Sequence, residues 1–255
     1  MAYGTRSYAR PYLHGNRLPL GIKSLLIANI AVFLIDWFVF RLQLYRVLPL
    51  GLVPAQVVKQ FYVWQLVTYM FLHGGIWHIL WNMLALWMFG VDLEQAWGTE
   101  KFLRFYFLCG VGAGLGVVLM NYLFGQPHDA TIGASGAIYG ILAASAALWP
   151  DRVILAFFFF PMKMKYFVAI IAGITFLNSW NPASPVSDIG HLSGLLVGYA
   201  YVKSGWAQMR SGRRLSFHPL AAFQSAYTNW KLNRAKRKFQ VYLNKQRRDR
   251  DPRVH

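Results

Sequence analysis

Five polar side chains that could act as nucleophile, base or hydrogen-bond donor fall within apolar stretches of this 255-residue chain: His78, Asn82, Ser135, Tyr139 and His191. His78 and Asn82 are four residues apart, as are Ser135 and Tyr139, so each pair shares one face of a helix. Polar groups in such stretches are costly to place in lipid and are usually functional. A serine hydroxyl is weakly nucleophilic until an adjacent base accepts its proton. The residue types therefore favour Ser135 as a nucleophile and His191 as its base, provided that the fold brings them together.

Small residues recur at four-residue spacing around both groups: Gly136 and Gly140 in one segment, and Gly190, Gly194 and Gly198 in the other. Faces of this kind let two helix backbones approach closely in lipid. If the two faces meet, Ser135 and His191 come within hydrogen-bond range. Taken alone, the tetrapeptide at 133–136 is more typical of a simple packing seam, and a single histidine is more typical of a hydrogen bond between helices.

The composition and the charge distribution predict a membrane protein. Apolar residues make up 56% of the chain and charged residues 14%, whereas a soluble domain has about 25% charged residues. The net charge of +17 lies almost wholly in the two ends of the chain, because residues 1–23 and 203–255 are rich in Lys and Arg. A basic globular nucleic-acid-binding protein would spread its positive charge over the folded surface, so that class is excluded.

Apolar runs that could form transmembrane helices, which need about 20 residues, occur at 22–40, 76–91, 102–124, 132–149, 166–177 and 187–202. The run 153–160 is too short to cross and is rich in β-branched and aromatic residues, so it predicts a strand or an interfacial loop. Lys and Arg collect on the cytoplasmic side of a membrane, and six spans put both basic termini there. We therefore predict an all-α membrane protein, a six-helix bundle with its polar groups toward the outer face.

Five motifs occur in an order that resembles the rhomboid family of intramembrane serine proteases. They are the segment from Trp64 to His73, the pair His78 and Asn82, Glu94 with Gly98, the tetrapeptide Gly133-Ala134-Ser135-Gly136, and Gly190-His191 followed by Gly194. Spread over residues 22–203, the set is far more specific than any one motif. On this reading, residues 1–21 are a basic cytoplasmic segment, 22–203 a six-span protease domain of the rhomboid type, and 204–255 a basic cytoplasmic tail.

The resemblance implies a role for each site residue. Ser135 attacks the scissile carbonyl, and His191 acts as general base and then as general acid, in a dyad without a carboxylate. His78, Asn82 and the Ser135 backbone N–H donate to the oxyanion, while the Tyr139 ring stacks on His191. The family cleaves single-span transmembrane substrates near their outer membrane boundary, and it needs neither a metal nor a cofactor.

The remaining motif residues are expected to support the site or its framework: Trp64, His73, Glu94, Gly98, Gly133, Gly136 and Gly194. We expect His73 either to tie the outer loop by a structural hydrogen bond or to take part in catalysis, and Glu94 to pair with backbone donors in the inner turn. Gln65 stands where the family usually has Arg, so a charged contact is lost there. Asp188 lies three residues before His191, and we expect it to cap the last helix rather than complete a triad.

The expected partners are single-span membrane proteins and membrane lipids, with no nucleic acid. Aromatic and basic residues interleave over 206–255, which fits either an amphipathic helix on anionic lipid or a partly disordered tail that sets topology. The six-span layout favours the inner membrane of a bacterium. Two other classes remain open: a catalytically inactive relative that binds membrane clients as an adaptor, and a small-solute transporter, which would carry its polar groups near the midplane.

Overall fold

The computed structural model describes residues 18–41, 43–44, 48–124, 127–156, 159–179 and 187–205. The basic residues before position 18, and the tail 206–255 with the lipid contact expected of it, lie outside the described residues. Within the described ranges the chain is mostly helical and contains one two-stranded sheet.

The elements follow in this order: α1 (Leu20–Ile35), continued by a π-helical turn (Asp36–Phe40); α2 (Pro54–Gln60); α3 (Gln65–Thr68), continued by a 3-10 turn (Tyr69–Phe71); α4 (Ile76–Trp97); α5 (Thr99–Phe124); α6 (Ser135–Leu148); β1 (Val153–Ala156); β2 (Phe160–Lys163); α7 (Met164–Asn178); and α8 (Ser187–Lys203). The short helices α2 and α3 belong to the long connection between α1 and α4.

Three segments of the described chain are long and apolar enough to cross a membrane: Leu20–Phe40, Ile76–Trp97 and Thr99–Leu123. α6 and α7 are apolar but shorter, with 14 and 15 residues, and α8 has 17. The span predicted over 132–149 is longer than the helix that the structure shows, α6. The helix begins only at Ser135, because Gly133 has a φ of +124°, which is not helical. The fold is thus that of a helical membrane protein with helices of unequal length.

Glu94 joins the end of α4 to the start of α1. Its carboxylate accepts hydrogen bonds from the backbone N–H groups of Gly21 and Ile22, at 2.7 Å each, and from the Thr99 hydroxyl at 2.6 Å. The first N–H groups of a helix lack acceptors within the helix, and a negative charge is favourable there. Glu94 therefore caps α1 from another helix, while Gly98 ends α4 with a φ of +82°, which glycine adopts without strain.

α6 is the central helix and packs against α4, α5, α7 and α8. In its contact with α8, both helices contribute glycine residues. A methyl group on Gly194 would overlap the carbonyl oxygen of Gly136, and a methyl group on Gly198 would overlap that of Gly140. The two faces of small residues therefore meet backbone against backbone, which is the close approach that such faces permit in lipid.

The run 153–160 contributes to a β-hairpin, so of the two forms predicted for it, a strand or an interfacial loop, the structure shows the strand. β1 and β2 pair antiparallel, with Val153 opposite Lys163. The second strand runs directly into α7, where the Met164 N–H donates to the Arg152 carbonyl at 2.8 Å. Because the hairpin follows the C-terminus of α6, it lies at the end of that helix opposite Ser135.

Candidate active site

Ser135 and His191 meet at one end of the contact between α6 and α8. Ser135 is the first residue of α6, and His191 lies in the second turn of α8. His191 Nε2 and Ser135 Oγ are 2.6 Å apart, which is hydrogen-bond distance. The structure therefore brings together the two side chains that the sequence pattern pairs as nucleophile and base.

Tyr139 holds one face of the His191 ring. The two rings are parallel to within 6°, and their centroids are 4.4 Å apart. Tyr139 Oη and Thr175 Oγ1 are 2.9 Å apart, so a hydrogen bond links α6 to α7. The sequence analysis missed Thr175, whose only signal was a hydroxyl within an apolar run. The stacked ring and this bond limit the rotamers that His191 can adopt.

Asp188 approaches the other nitrogen of the same ring. Its Oδ1 lies 3.5 Å from His191 Nδ1, and the side chains of His191 and Asp188 are 17% and 15% exposed. That distance is too long for a strong hydrogen bond, but a carboxylate so placed stabilises an imidazolium by charge. Asp188 does lie in the first turn of α8, where a negative charge is favourable. Treating it as a cap alone missed its contact with His191.

The side chain of His78, in α4, lies next to Gly133 in the segment that precedes Ser135. An atom in the Cβ position of Gly133 would lie 2.7 Å from His78 Nε2 and 3.8 Å from Ser135 Oγ, so only glycine leaves room for the imidazole. The Gly74 N–H lies 3.4 Å from His78 Nδ1 and donates to it. Because a neutral imidazole that accepts on one nitrogen carries its proton on the other, Nε2 is the donor that faces Gly133.

Asn82 is buried one turn farther along α4. Its side-chain amide donates to the His78 carbonyl at 3.0 Å, which is a bond within its own helix. The structure therefore brings Asn82 to the site less directly than His78.

His73 is a buried histidine beside His78. Its side chain is 1% exposed, and the two rings meet edge to face with centroids 5.0 Å apart. Neither ring nitrogen of His73 has a hydrogen-bond partner of good geometry among the described residues. Burial lowers the pKa of His73 to about 3, His78 adds to that shift, and the Phe71 backbone opposes it. The ring is therefore neutral near pH 7.

Gln65 lies in the connection before α4, is fully buried and has neutral partners. Its Oε1 accepts from the Val53 N–H at 3.0 Å, and its Nε2 donates to Gln56 Oε1 at 2.6 Å. The neighbouring Trp64 donates from Nε1 to the Pro49 carbonyl at 2.9 Å. A buried charge would need a partner of opposite sign, so an uncharged side chain suits this position. Gln56 is a framework residue that the sequence analysis missed.

Tyr69 connects the same loop to the segment that precedes Ser135. Its hydroxyl donates to the Gly110 carbonyl of α5 at 2.7 Å, and its own carbonyl accepts from the Gly133 N–H at 2.9 Å. Burial raises the pKa of Tyr69, so the hydroxyl keeps its proton and remains a donor. Tyr69 thus helps to fix the position of Gly133, a role that its place in the motif from Trp64 to His73 did not specify.

A cavity of about 10 Å³ lies beside the dyad, and Ser135, His191 and Thr131 are among its lining residues. That volume is about the least that holds one water molecule. The buried Thr131 hydroxyl has no hydrogen-bond partner among the described residues, so a polar group is present for such a water. In the described part of the chain, no group of three His, Cys, Asp or Glu side chains is placed to hold a metal ion.

Comparison with known proteins relates the chain to one family. The sequence model of one protein family, described as the Rhomboid domain, matches residues 60–208, which is more than half of the chain. The chain is 33% identical to Rhomboid-like protease 3 of Toxoplasma gondii, over 60% of this chain and 56% of that protein. It is 32% identical to Rhomboid protein 1, mitochondrial, of Saccharomyces cerevisiae, over 53% of this chain and 39% of that protein.

A bacterial relative matches over a smaller share of its own length. The chain is 32% identical to Rhomboid protease GluP of Bacillus subtilis, over 53% of this chain and 25% of that protein. The chain spans about half the length of the first curated relatives it matches.

Proposed function

The chain belongs to the rhomboid family, and we propose that it is an intramembrane serine endopeptidase that cleaves transmembrane substrates through Ser135 and His191. The observation that carries the proposal is the distance of 2.6 Å between His191 Nε2 and Ser135 Oγ. At that distance the imidazole can take the hydroxyl proton while the oxygen attacks a carbonyl carbon. The protease names of the relatives in Toxoplasma gondii and Bacillus subtilis support the same reaction class.

The proposed reaction has an acylation half and a hydrolysis half. Ser135 Oγ forms a bond to the scissile carbonyl carbon, the carbonyl electron pair moves onto oxygen, and His191 Nε2 takes the proton. When the oxyanion collapses, the C–N bond breaks and His191 returns the proton to the leaving amine. Water, deprotonated by the same imidazole, then hydrolyses the acyl ester and restores Ser135. Asp188, 3.5 Å from Nδ1, favours the imidazolium that forms in each half.

Three donors are proposed to bind the oxyanion: His78 Nε2–H, the Ser135 backbone N–H and the Asn82 amide. The Ser135 N–H belongs to the first residue of α6 and has no acceptor within the helix. His78 presents its protonated nitrogen beside Gly133. One well-placed donor is worth about 10²–10³ in rate. Asn82 must turn from the His78 carbonyl before it can contribute.

We also propose that six helices of a protease domain over residues 22–203 cross the membrane: α1 with its π-helical turn, α4, α5, α6, α7 and α8. The Lys and Arg at the two ends of the chain support a cytoplasmic location for both termini. A 14-residue α6 is about 21 Å long, against about 30 Å for the hydrocarbon core. If the end of α6 next to the hairpin lies at the inner surface of the hydrocarbon core, Ser135 at the other end lies about 9 Å below the outer surface of that core. At that depth, water can reach Ser135 from the outside.

Single-span membrane proteins, cut near their outer membrane boundary, are the proposed substrates. The proposed compartment is the inner membrane of a bacterium. One relative is from Bacillus subtilis and another is named as mitochondrial in yeast, so the compartment depends on the host more than on this domain.

The proposal is tested by reconstituting the full chain in liposomes with a single-span model substrate and measuring the cleavage rate. Ser135→Ala should abolish cleavage, and the exposed Ser204→Ala at the end of α8 should cleave at the wild-type rate. A fluorophosphonate probe should label folded wild type at Ser135 alone. Cleavage that survives Ser135→Ala would overturn the mechanism. Failure of the wild type both to cleave and to be labelled would favour an adaptor that binds membrane clients without cutting them.

A further inference from the structure

A cavity of about 290 Å³ lies at the end of α6 opposite Ser135. Its apolar walls come from the C-terminal half of α4, the end of α6, β1 and the start of α7, and they include Met88, Phe89, Trp149, Ile154 and Met164. Ligand pockets in proteins begin at about this size. None of the proposed catalytic residues lines the cavity, so its contents are separate from the protease reaction.

Three polar side chains interrupt the apolar walls: Asp92, Ser145 and Arg152. Arg152 and Asp92 form an ion pair, and their side chains are 33% and 20% exposed, so the pair stands at the edge of the cavity. Ser145 is 4% exposed, and its hydroxyl has no hydrogen-bond partner among the described residues. A buried hydroxyl without a partner is destabilising. A ligand with an acceptor oxygen at that depth would remove the penalty.

The rim of this cavity is defined here as the lining residues Asp92 and Arg152 together with three residues that are next to lining residues in sequence, Asp151, Lys163 and Lys165. This rim carries more positive than negative charge. Lys163 and Lys165 lie 3.2 and 2.9 Å from the same oxygen of Asp151, and all three side chains are partly exposed. Together with the pair of Arg152 and Asp92, three cations stand against two carboxylates. The charge of the rim therefore complements an anion.

The hairpin beside the rim presents apolar side chains outward. Val153, Leu155, Phe159 and Phe160 are all more than half exposed. Apolar side chains next to lysines, on an element too short to span a bilayer, are typical of the membrane interface. The cavity therefore opens where acyl chains and headgroups of lipid are both within reach.

We propose that this cavity binds one phospholipid with an anionic headgroup, its phosphate beside Arg152 and Lys165 and an acyl chain among the apolar walls. Basic pockets between transmembrane helices are typical sites for such headgroups. Ser145 lies three residues before the end of α6, about 5 Å deeper in the membrane than the helix end. Its hydroxyl then donates to a glycerol ester oxygen, which lies deeper than the phosphate.

The test uses the full chain in phosphatidylcholine nanodiscs that contain trace photo-crosslinkable phosphatidylglycerol or photo-crosslinkable phosphatidylcholine. The phosphatidylglycerol probe should label the peptides that contain Trp149, Ile154 and Met164 several-fold more than the phosphatidylcholine probe does. Lys165→Gln should lower this labelling about fivefold. Lys59→Gln, which removes an exposed lysine of α2, should leave it unchanged. Equal labelling by both probes would overturn the headgroup assignment.

A second variant tests the acyl-chain assignment. Ile154 lines the cavity and is partly exposed, so Ile154→Trp should fill the space and abolish labelling without lowering the thermal midpoint. Undiminished labelling in a folded Ile154→Trp variant would contradict the proposal. So would competition by soluble glycerol phosphate as effective as competition by unlabelled phosphatidylglycerol, because the site would then bind a phosphate alone.

Discussion

Gly194 of α8 packs against the carbonyl oxygen of Gly136 of α6 with no space for a side chain between them. Ser135 is the residue before Gly136, and His191 lies one turn before Gly194. The contact of the two backbones and the 2.6 Å distance between the two polar side chains therefore belong to one surface.

Gly194→Ala should lower the cleavage rate more than tenfold and lower the thermal midpoint. The new methyl group would overlap a backbone oxygen, and overpacking of this kind costs about 1–3 kcal/mol. Separation of α6 from α8 would also lengthen the distance between Ser135 and His191. Gly173→Ala is the matched control, because nothing lies within 4 Å of a Cβ at that position of α7. Full activity of Gly194→Ala would show that the helices tolerate a wider spacing.

Asp188→Asn should lower kcat about tenfold while KM stays unchanged. Loss of the charge in the first turn of α8 should lower the thermal midpoint only slightly. The amide keeps the shape of the side chain but removes the negative charge 3.5 Å from His191 Nδ1, so the imidazolium of the transition state is less stable. Asp129→Asn, at an exposed loop position, serves as the control. If kcat were unaffected in steady-state assays of Asp188→Asn, the carboxylate would have only the capping role.

Gln65→Arg should destabilise the protein even though Arg is the residue that the family usually has there. Arginine has no acceptor, so the Val53 N–H would lose the partner that Gln65 provides at 3.0 Å. A buried group left without a partner costs about 1–3 kcal/mol, and the guanidinium would add a charge at a position with no exposure. Chemical denaturation should detect the change, and Gln60→Arg at the exposed end of α2 should show none. Stabilisation by Gln65→Arg would mean that the loop supplies an acceptor after rearrangement.

Glu94→Gln should lower the free energy of unfolding by about 1–2 kcal/mol. The amide offers one acceptor oxygen in place of two, yet Gly21, Ile22 and Thr99 all donate to Glu94. The charge that stabilises the N-terminus of α1 is lost as well. Glu100→Gln removes an exposed charge from the first turn of α5 and an exposed ion pair with Arg104, so it should cost only about 0.5 kcal/mol. Equal stability of the two variants would contradict the capping role.

Acidification should destabilise the fold through His73. The pKa of this histidine is about 3 in the fold against an ordinary value of 6.5, so the unfolded chain takes up the proton first. Its stabilising effect is complete above pH 6.5, falls as the pH drops and is gone by about pH 3. Thermal midpoints measured between pH 7 and pH 4 should fall less steeply in His73→Gln than in wild type. The exposed His128→Gln should follow the wild-type curve. Identical slopes in all three proteins would rule out His73 as the titrating group.

The spacing of polar and small residues predicts the centre of the site better than its surroundings. Helical periodicity fixes which residues share a face of one helix, so the sequence could pair Ser135 with His191 on the condition that the glycine faces next to them meet, and the resemblance to the rhomboid family implied the same dyad. The contact of Tyr139 with Thr175 depends on how α7 is rotated against α6, which a single apolar run does not specify. The hydrogen bond of Gln65 to Gln56 depends on the path of a loop, and no periodicity describes such a path.

The same distinction holds for the lengths of the elements. A sequence pattern identifies an apolar run but not where backbone geometry ends a helix, so the span predicted from residue 132 begins before α6, which starts at Ser135. Only the φ of +124° at Gly133 separates the approach segment from the helix. A strand or an interfacial loop over 153–160 could be predicted, because the run is too short to span a bilayer and is rich in strand-forming residues. The pairing of β1 with β2 could not.

The main-chain contact between α6 and α8 also determines how the protein should respond to its surroundings. Gly136 and Gly140 meet Gly194 and Gly198 without intervening side chains, so the separation of the two helices is fixed by atoms that have no rotamers. A thicker or thinner bilayer can tilt such a pair as one unit but cannot change its spacing. Lipid composition should therefore alter how often substrate and water reach Ser135, while the reaction of bound substrate proceeds at the same rate.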